Sequence, residues 1–171
     1  MEQPAPSPGA RPLAIAGLWL GLGLGGFFDG IVFHQILQWH HMLTSAGYPP
    51  TSVANLDVNT LADGLFHAAT YLYTVLGLVV LWRASRRADV CWSSMLLIGA
   101  ILAGWGVFNL VEGIVDHQVL GIHHVRDDLP PGVVKATWDI GFLIWGAVML
   151  GGGWLMIRRG RLAASARGAQ Q

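Results

Sequence analysis

Four long apolar stretches constrain this chain more than any other feature of its sequence. A helix needs about 20 mostly apolar residues to cross a bilayer, and residues 13–33, 61–82, 92–111 and 136–157 reach that length with at most one acidic residue each. Charged residues make up only 12% of the 171-residue chain, which is about half the share found in soluble domains. The composition therefore excludes an ordinary soluble enzyme and a disordered chain, and it predicts an all-α integral membrane protein.

Net charge and cysteine content exclude further classes of protein. Ten basic residues balance ten acidic ones, so no overall positive field attracts a nucleic acid. The single cysteine, Cys91, excludes an intrachain disulfide framework and a thiolate-rich metal site. The predicted partner is the lipid bilayer, and contact with another membrane protein or with a second copy of the chain is left open.

Basic residues predict the orientation of the four spans. Eight of the ten flank one side of the membrane in a four-span topology, and they are Arg11, Arg83, Arg86, Arg87, Arg158, Arg159, Arg161 and Arg167. Because cytoplasmic loops carry an excess of lysine and arginine, both termini are predicted to be cytoplasmic. Residues 1–11 are then a disordered lead, residues 12–158 a four-span domain, and residues 159–171 a basic cytoplasmic tail.

The first and third spans end in nearly the same sequence. Residues 29–41 read DGIVFHQILQWHH and residues 112–124 read EGIVDHQVLGIHH, with eight of thirteen positions identical at a constant offset of 83 residues. We therefore predict two duplicated hairpins, covering about residues 12–83 and 92–158. Two spans separate the copies, so they form a parallel repeat with a pseudo-two-fold axis along the membrane normal.

These two motifs, together with the W-D-x-G-F stretch at residues 138–142, resemble a bacterial family of predicted membrane proteins named domain of unknown function 2243. The resemblance extends over roughly residues 12 to 158. It implies a multi-pass protein of the bacterial inner membrane, but it implies no reaction. It also suggests an association with the assembly of respiratory oxidases.

Glycines predict how the spans pack against each other. Gly17, Gly21 and Gly25 recur every four residues along the first span, and such stripes let helix backbones approach closely. The glycine-rich runs at residues 21–26 and 151–153 are interpreted in the same way, as helix-packing surfaces. The polar face that continues this stripe into Asp29 is expected to point into the bundle.

Histidines and carboxylates lie in the half of the bundle that is predicted to be the outer one. If the α-helices continue with a rise of 1.5 Å per residue, His34 and His117 lie about 10 Å below His41 and His124. His67 enters from the second span at a similar depth. Ionisable side chains within a bilayer are costly and usually face a partner or a cavity. The sequence therefore predicts one deep polar layer with an outer rim above it.

This arrangement predicts a metal site made of nitrogen and oxygen ligands, which suit zinc, iron, manganese or copper(II). The proposed ligands are His34, His67 and His117, with Asp116 or Asp139 as a fourth ligand and Glu112 in support. Asp29 and Asp63 are further supporting carboxylates. The predicted water-accessible rim consists of His40, His41, His123 and His124.

Three functions remain open at this stage. The first is a membrane-embedded metal protein with a redox or metal-handling role on the outer side of the inner membrane, linked to respiratory-oxidase assembly. The second is a haem b cytochrome with His34 and His117 as axial ligands, although the nearby carboxylates would crowd an apolar porphyrin. The third is a non-catalytic proton or ion pathway, or an assembly subunit. No motif identifies a reaction or a substrate.

Overall fold

Four long helices form the protein. The computed structural model describes residues 9–90 and 92–168, with side chains up to residue 163. The helices are α1 (Arg11–Phe28), α2 (Val53–Ser85), α3 (Ser94–Glu112) and α4 (Val133–Gly168). Within the described residues, extended pairing is limited to one bridge between Gly9 and Val90. The predicted all-α fold with four membrane-length apolar helices is confirmed, whereas Cys91 and most of the proline-rich lead lie outside the described residues.

Helices α1 and α3 continue beyond their α-helical parts with a wider winding. Asp29–Ile36 and Gly113–Val119, here named π1 and π2, are π-helices. Each begins at or directly after the acidic residue that opens the duplicated motif. Such segments are rare, and they occur frequently at functional sites. The apolar spans that include them are Arg11–Ile36 and Ser94–Val119.

The two motif-bearing helices occupy the centre of the bundle. α1 packs against both α2 and α3, and α3 packs against both α1 and α4. Accordingly, 50% and 44% of the apolar windows of the first and third spans are buried, against 11% and 17% for the second and fourth spans. The outer helices α2 and α4 therefore present most of their surface to the lipid.

Glycines make the close contact between α1 and α3. A Cβ atom on Gly21 would overlap the carbonyl oxygen of Ile101, and one on Gly104 would overlap the carbonyl oxygen of Leu18. The predicted packing role of the glycine stripe on α1 is thus confirmed. In the run at residues 151–153, only Gly153 packs closely against α3, whereas Gly151 and Gly152 have open space beside them.

Both central helices end in a reversal of the chain. Gln38 and Gly121 follow the two π-helices with φ angles of 52° and 57°, and a left-handed residue is a usual way to end a helix. The segments 37–52 and 120–132, here named the cap, fold over this end of the bundle. They are joined by a hydrogen bond from Ser45 N to Ile122 O at 2.9 Å and by one from Asp128 N to Trp39 O at 3.1 Å.

Candidate metal centre

The chain reversals bring two histidines of the predicted rim into the interior. His40 and His123 are 2% and 0% exposed, and their rings stack with centroids 4.7 Å apart and planes within 6°. The prediction that water reaches these two residues is therefore wrong. It assumed that the α-helix continues outward, whereas the chain leaves the helix before these residues and turns back over the bundle.

Six buried polar side chains meet beneath the cap. This central cluster consists of Asp29, His34, His40, Glu112, His117 and His123. In all four histidines the Nε2 atom is buried without a hydrogen-bond partner, and so are both oxygens of each carboxylate. Buried polar atoms are normally paired. Unpaired nitrogen and oxygen atoms that face one another form a ligand set that a bound cation would satisfy.

Distances within the central cluster suit the binding of an ion. The Nε2 atom of His34 lies 2.9 Å from Asp29 Oδ2, although the two atoms are not aligned for a hydrogen bond. The Nε2 atom of His123 lies 3.7 Å from Glu112 Oε1. Three overlapping groups have ligand atoms within 4.8 Å of one another: His34, His40 and His123; Glu112, His117 and His123; Asp29, His34 and Glu112.

The two central imidazoles are held through their other nitrogen by the backbone of the cap. His40 Nδ1 donates to the carbonyl oxygen of Val125 at 3.0 Å, and His123 Nδ1 donates to that of Met42 at 3.2 Å. Because a carbonyl only accepts, Nδ1 carries a proton in each ring, and in the neutral imidazole this leaves the lone pair of Nε2 available to a ligand. Burial, with a contribution from His40, also lowers the pKa of His123 well below its usual range, which keeps this ring neutral.

Asp63 on α2 orients the first half of the site. Its carboxylate accepts from His34 Nδ1, His41 Nδ1 and the backbone N–H of Met42, each at 2.9 Å. It therefore stands behind the ring of His34 and holds the start of the cap. Carboxylates in this position fix the orientation of metal-binding histidines and raise their basicity.

Asp139 on α4 has the matching position in the second half. It accepts from His124 Nδ1 at 2.7 Å and from Val125 N at 3.0 Å, and one oxygen lies 3.6 Å from His117 Nδ1. Asp139 was predicted as a fourth ligand, but it lies behind the ring of His117 and is engaged by the cap. Its geometry is that of an orienting carboxylate.

The remaining predicted residues lie around the central cluster. His67 Nδ1 donates to the carbonyl oxygen of Asp63 at 2.8 Å, and its ring lies beside Gly30 of π1 and the ring of Phe66, outside the cluster. His41 and His124 are partly exposed at the edge of the cap, where the predicted rim was expected. Asp116 is half-buried and faces a cavity beside Glu112. The sequence grouped His67 with the ligands by its depth along α2, but His67 belongs to none of the three groups of ligand atoms.

The middle of the site is formed by residues that the sequence predicts only in a supporting or a rim position. Asp29 and His40 correspond to Glu112 and His123 at the offset of 83 residues, and both pairs are in the cluster. Their pairing within the duplicated motif was the available signal. The contacts of the two halves also correspond, because each central histidine is bound to the backbone of the other half. The duplication itself stays a prediction that these contacts support.

The charges of the cluster are not balanced by arginine or lysine in the ion pairs of the described residues. The basic side chains Arg87, Arg126 and Lys135 pair instead with Asp89, Asp128 and Asp127, none of which belongs to the cluster. Two buried ligand carboxylates and two orienting ones therefore share the site only with histidines. Buried charges are usually paired or coordinate a metal, so a multivalent cation suits this electrostatic environment.

Two cavities flank the centre on opposite sides. One, of about 420 Å³, lies between the end of π1 and α4 and contains Phe33, and the other, of about 340 Å³, is bounded by α1, α2 and α3 and contains Asp116. We name them the Phe33 cavity and the Asp116 cavity. Phe33 and Asp116 occupy corresponding positions of the duplicated motif, 83 residues apart. The two cavities therefore differ at the residue that directly precedes His34 in one motif copy and His117 in the other.

Comparison with known proteins identifies the family. The chain belongs to the family of predicted membrane proteins designated DUF2243, which it matches over residues 16–160. The family assignment made from the motifs is thus confirmed, and it agrees with the four membrane-length helices. No curated protein and no solved structure matches the chain.

Proposed function

We propose that this member of the DUF2243 family is a membrane-embedded metalloprotein. The metal is bound by ligand atoms drawn from the three overlapping groups of the central cluster, which comprise the Nε2 atoms of its four histidines and the carboxylates of Asp29 and Glu112. A single observation carries the proposal: six buried ligand groups are unpartnered, while Nδ1 of His34, His40 and His123 is hydrogen-bonded and that of His117 faces Asp139. Metal-binding histidines typically have their second nitrogen engaged in this way.

The ligand set differs from the one predicted from the sequence. His40 and His123 replace His67, and Asp29 with Glu112 replaces Asp116 and Asp139. Imidazole and carboxylate ligands suit iron, copper(II), manganese or zinc. Because the ligands are anchored and lie beneath the cap, we expect a resident ion. This favours a redox centre over a carrier that passes its ion to a respiratory oxidase during assembly.

Haem is the less suitable occupant of this cluster. A porphyrin between two axial histidines needs a flat apolar slot. Here the stacked rings of His40 and His123 occupy the middle, and their centroids lie 4.4 Å from His34 and 4.9 Å from His117 respectively. A Soret band in the purified protein would instead support the cytochrome, and a protein with neither metal nor haem would support a proton pathway or an assembly role.

Metal analysis of purified protein tests the proposal. We expect bound iron, copper, manganese or zinc in the wild type, and an affinity lower by at least about tenfold in His40→Ala and in His123→Ala. His67→Ala is the matched control, because it removes an imidazole from the same bundle outside the cluster. Full metal retention in both cluster variants, or an equal loss in His67→Ala, would contradict the assignment.

We also propose that the cap end of the bundle faces outward, because basic residues flank the opposite end. In the bacterial inner membrane the metal then lies near the periplasmic side, and both termini are cytoplasmic. A C-terminal reporter that fluoresces only in the cytoplasm is expected to be active. Activity of a periplasm-dependent reporter at the same position would show the opposite orientation.

A further inference from the structure

The Asp116 cavity combines aromatic walls with two carboxylates. Ring pairs line it, with Trp19 and Tyr73 centroids 5.6 Å apart and those of Phe66 and Phe108 6.0 Å apart. It lies where α2 and α3 are both held by α1 but have no extensive contact with each other. Its volume of about 340 Å³ is in the range of small-molecule sites. It is therefore a lateral pocket that the surrounding lipid can reach.

Glu112 connects this pocket to the central cluster. Its side chain lines the cavity and is 3% exposed, and neither of its oxygens has a hydrogen-bond partner. The same carboxylate belongs to two of the three ligand groups of the cluster. A molecule in the cavity thus contacts a residue of the proposed metal site, while Asp116 offers a second carboxylate from π2.

The pocket's chemistry restricts what it can bind. Carboxylate oxygens accept hydrogen bonds, so the ligand must donate them. The aromatic walls favour a ring that can pack against their faces or edges. Tyr73 and Phe108 lie in the middle third of their spans, where a charged ligand is costly. An uncharged, lipid-soluble aromatic molecule with hydroxyl groups meets all three conditions.

We propose that the Asp116 cavity binds the hydroquinone headgroup of a lipid-soluble quinol. Its hydroxyl groups donate to Asp116 and Glu112, its ring packs among the aromatic side chains, and its apolar tail leaves between α2 and α3. The proposal rests on the proposed function in one respect, since the metal centre would give this bound quinol a redox partner. Binding of the headgroup itself does not depend on the metal.

Quinol binding to the purified full-length protein tests this assignment. The probe is decylubiquinol, held reduced under anaerobic conditions, and binding is followed by quenching of tryptophan fluorescence with decanol as the control for partitioning of the tail. In Asp116→Phe, which copies the residue of the other cavity, we expect the Kd to rise at least about tenfold, as for loss of a charged hydrogen bond. Phe33→Leu is the matched control and keeps the wild-type Kd.

Metal content measured on the same samples separates the two proposals. Asp116 is outside the cluster, so Asp116→Phe and the milder Asp116→Asn are expected to retain the metal while binding quinol more weakly. If Asp116→Phe does not fold, the Kd of Asp116→Asn is measured instead, and a rise in that Kd supports the quinol site. An unchanged Kd in a folded, metal-loaded Asp116 variant overturns the quinol site alone. A wild type that binds quinol but takes up no metal in a metal titration overturns the proposed function and leaves the quinol site standing.

Discussion

The Phe33 and Asp116 cavities are built on corresponding positions of two similar halves, yet they differ in chemistry. In the Phe33 cavity, Phe33 stacks on Trp39 with centroids 5.1 Å apart, and Arg126 lies over the rings of Trp39 and Trp138. The wall on this side is built by aromatic packing. In the Asp116 cavity a carboxylate replaces the phenyl ring and lies beside an unpartnered Glu112.

The difference indicates that the two halves share the candidate metal ligands but not the chemistry of the wall beside them. Each half contributes one carboxylate and two histidines to the central cluster. Only one substitution between the motif copies, phenylalanine against aspartate, changes the wall beside the motif histidine from apolar to acidic. A symmetric scaffold thus has one structural side and one side suited to a ligand.

The largest expected effect separates the two carboxylates of the centre. Asp29→Asn and Glu112→Gln should each lower metal affinity by at least about tenfold, because each weakens a ligand. Only Glu112→Gln should also weaken decylubiquinol binding, since Asp29 does not line the Asp116 cavity. Metal titration and quinol binding on the same preparations measure both effects. Equal weakening of quinol binding by Asp29→Asn would remove the distinction between the two sides.

A smaller effect concerns stability. Phe33→Ala removes ring contacts with Phe28 and Trp39, and should cost about 1–3 kcal/mol of unfolding free energy at 0.5–1.5 kcal/mol for each aromatic pair. Asp116→Ala should change stability by less than about 0.5 kcal/mol, as at sites without a packing role. Thermal unfolding in one detergent compares the variants. If Asp116→Ala lost more stability than Phe33→Ala, the Asp116 cavity would have the structural role that we assign to the Phe33 cavity.

The smallest effect concerns the two chain reversals. Gly121 has a φ of 57° and open space beside its Cα, so Gly121→Ala should cost about 1 kcal/mol from backbone strain alone. Gln38 already carries that strain at a φ of 52°, and Gln38→Gly should stabilise the protein slightly. Shifts of about 2–4 °C in the unfolding midpoint are expected per kcal/mol. The same sign for these two changes would show that the reversals are built differently.

Much of the fold was predictable from local sequence. The four apolar stretches identified the helices, because span length and hydrophobicity are properties of contiguous residues. The stripe of Gly17, Gly21 and Gly25 identified the face of α1 that approaches α3, because i, i+4 positions share one side of a helix. The duplicated motif contained all six members of the central cluster.

The tertiary structure decided which of those residues meet. A continued α-helix placed His40 and His123 about 9 Å from His34 and His117, but the reversals at Gln38 and Gly121 place them among the deep buried side chains. Helical depth likewise grouped His67 with the site, whereas its ring is hydrogen-bonded to the carbonyl oxygen of Asp63 and lies outside the three groups of ligand atoms. Two left-handed residues and the hydrogen bonds across the cap determine this arrangement. Such contacts join segments about 80 residues apart, which periodicity along one helix does not describe.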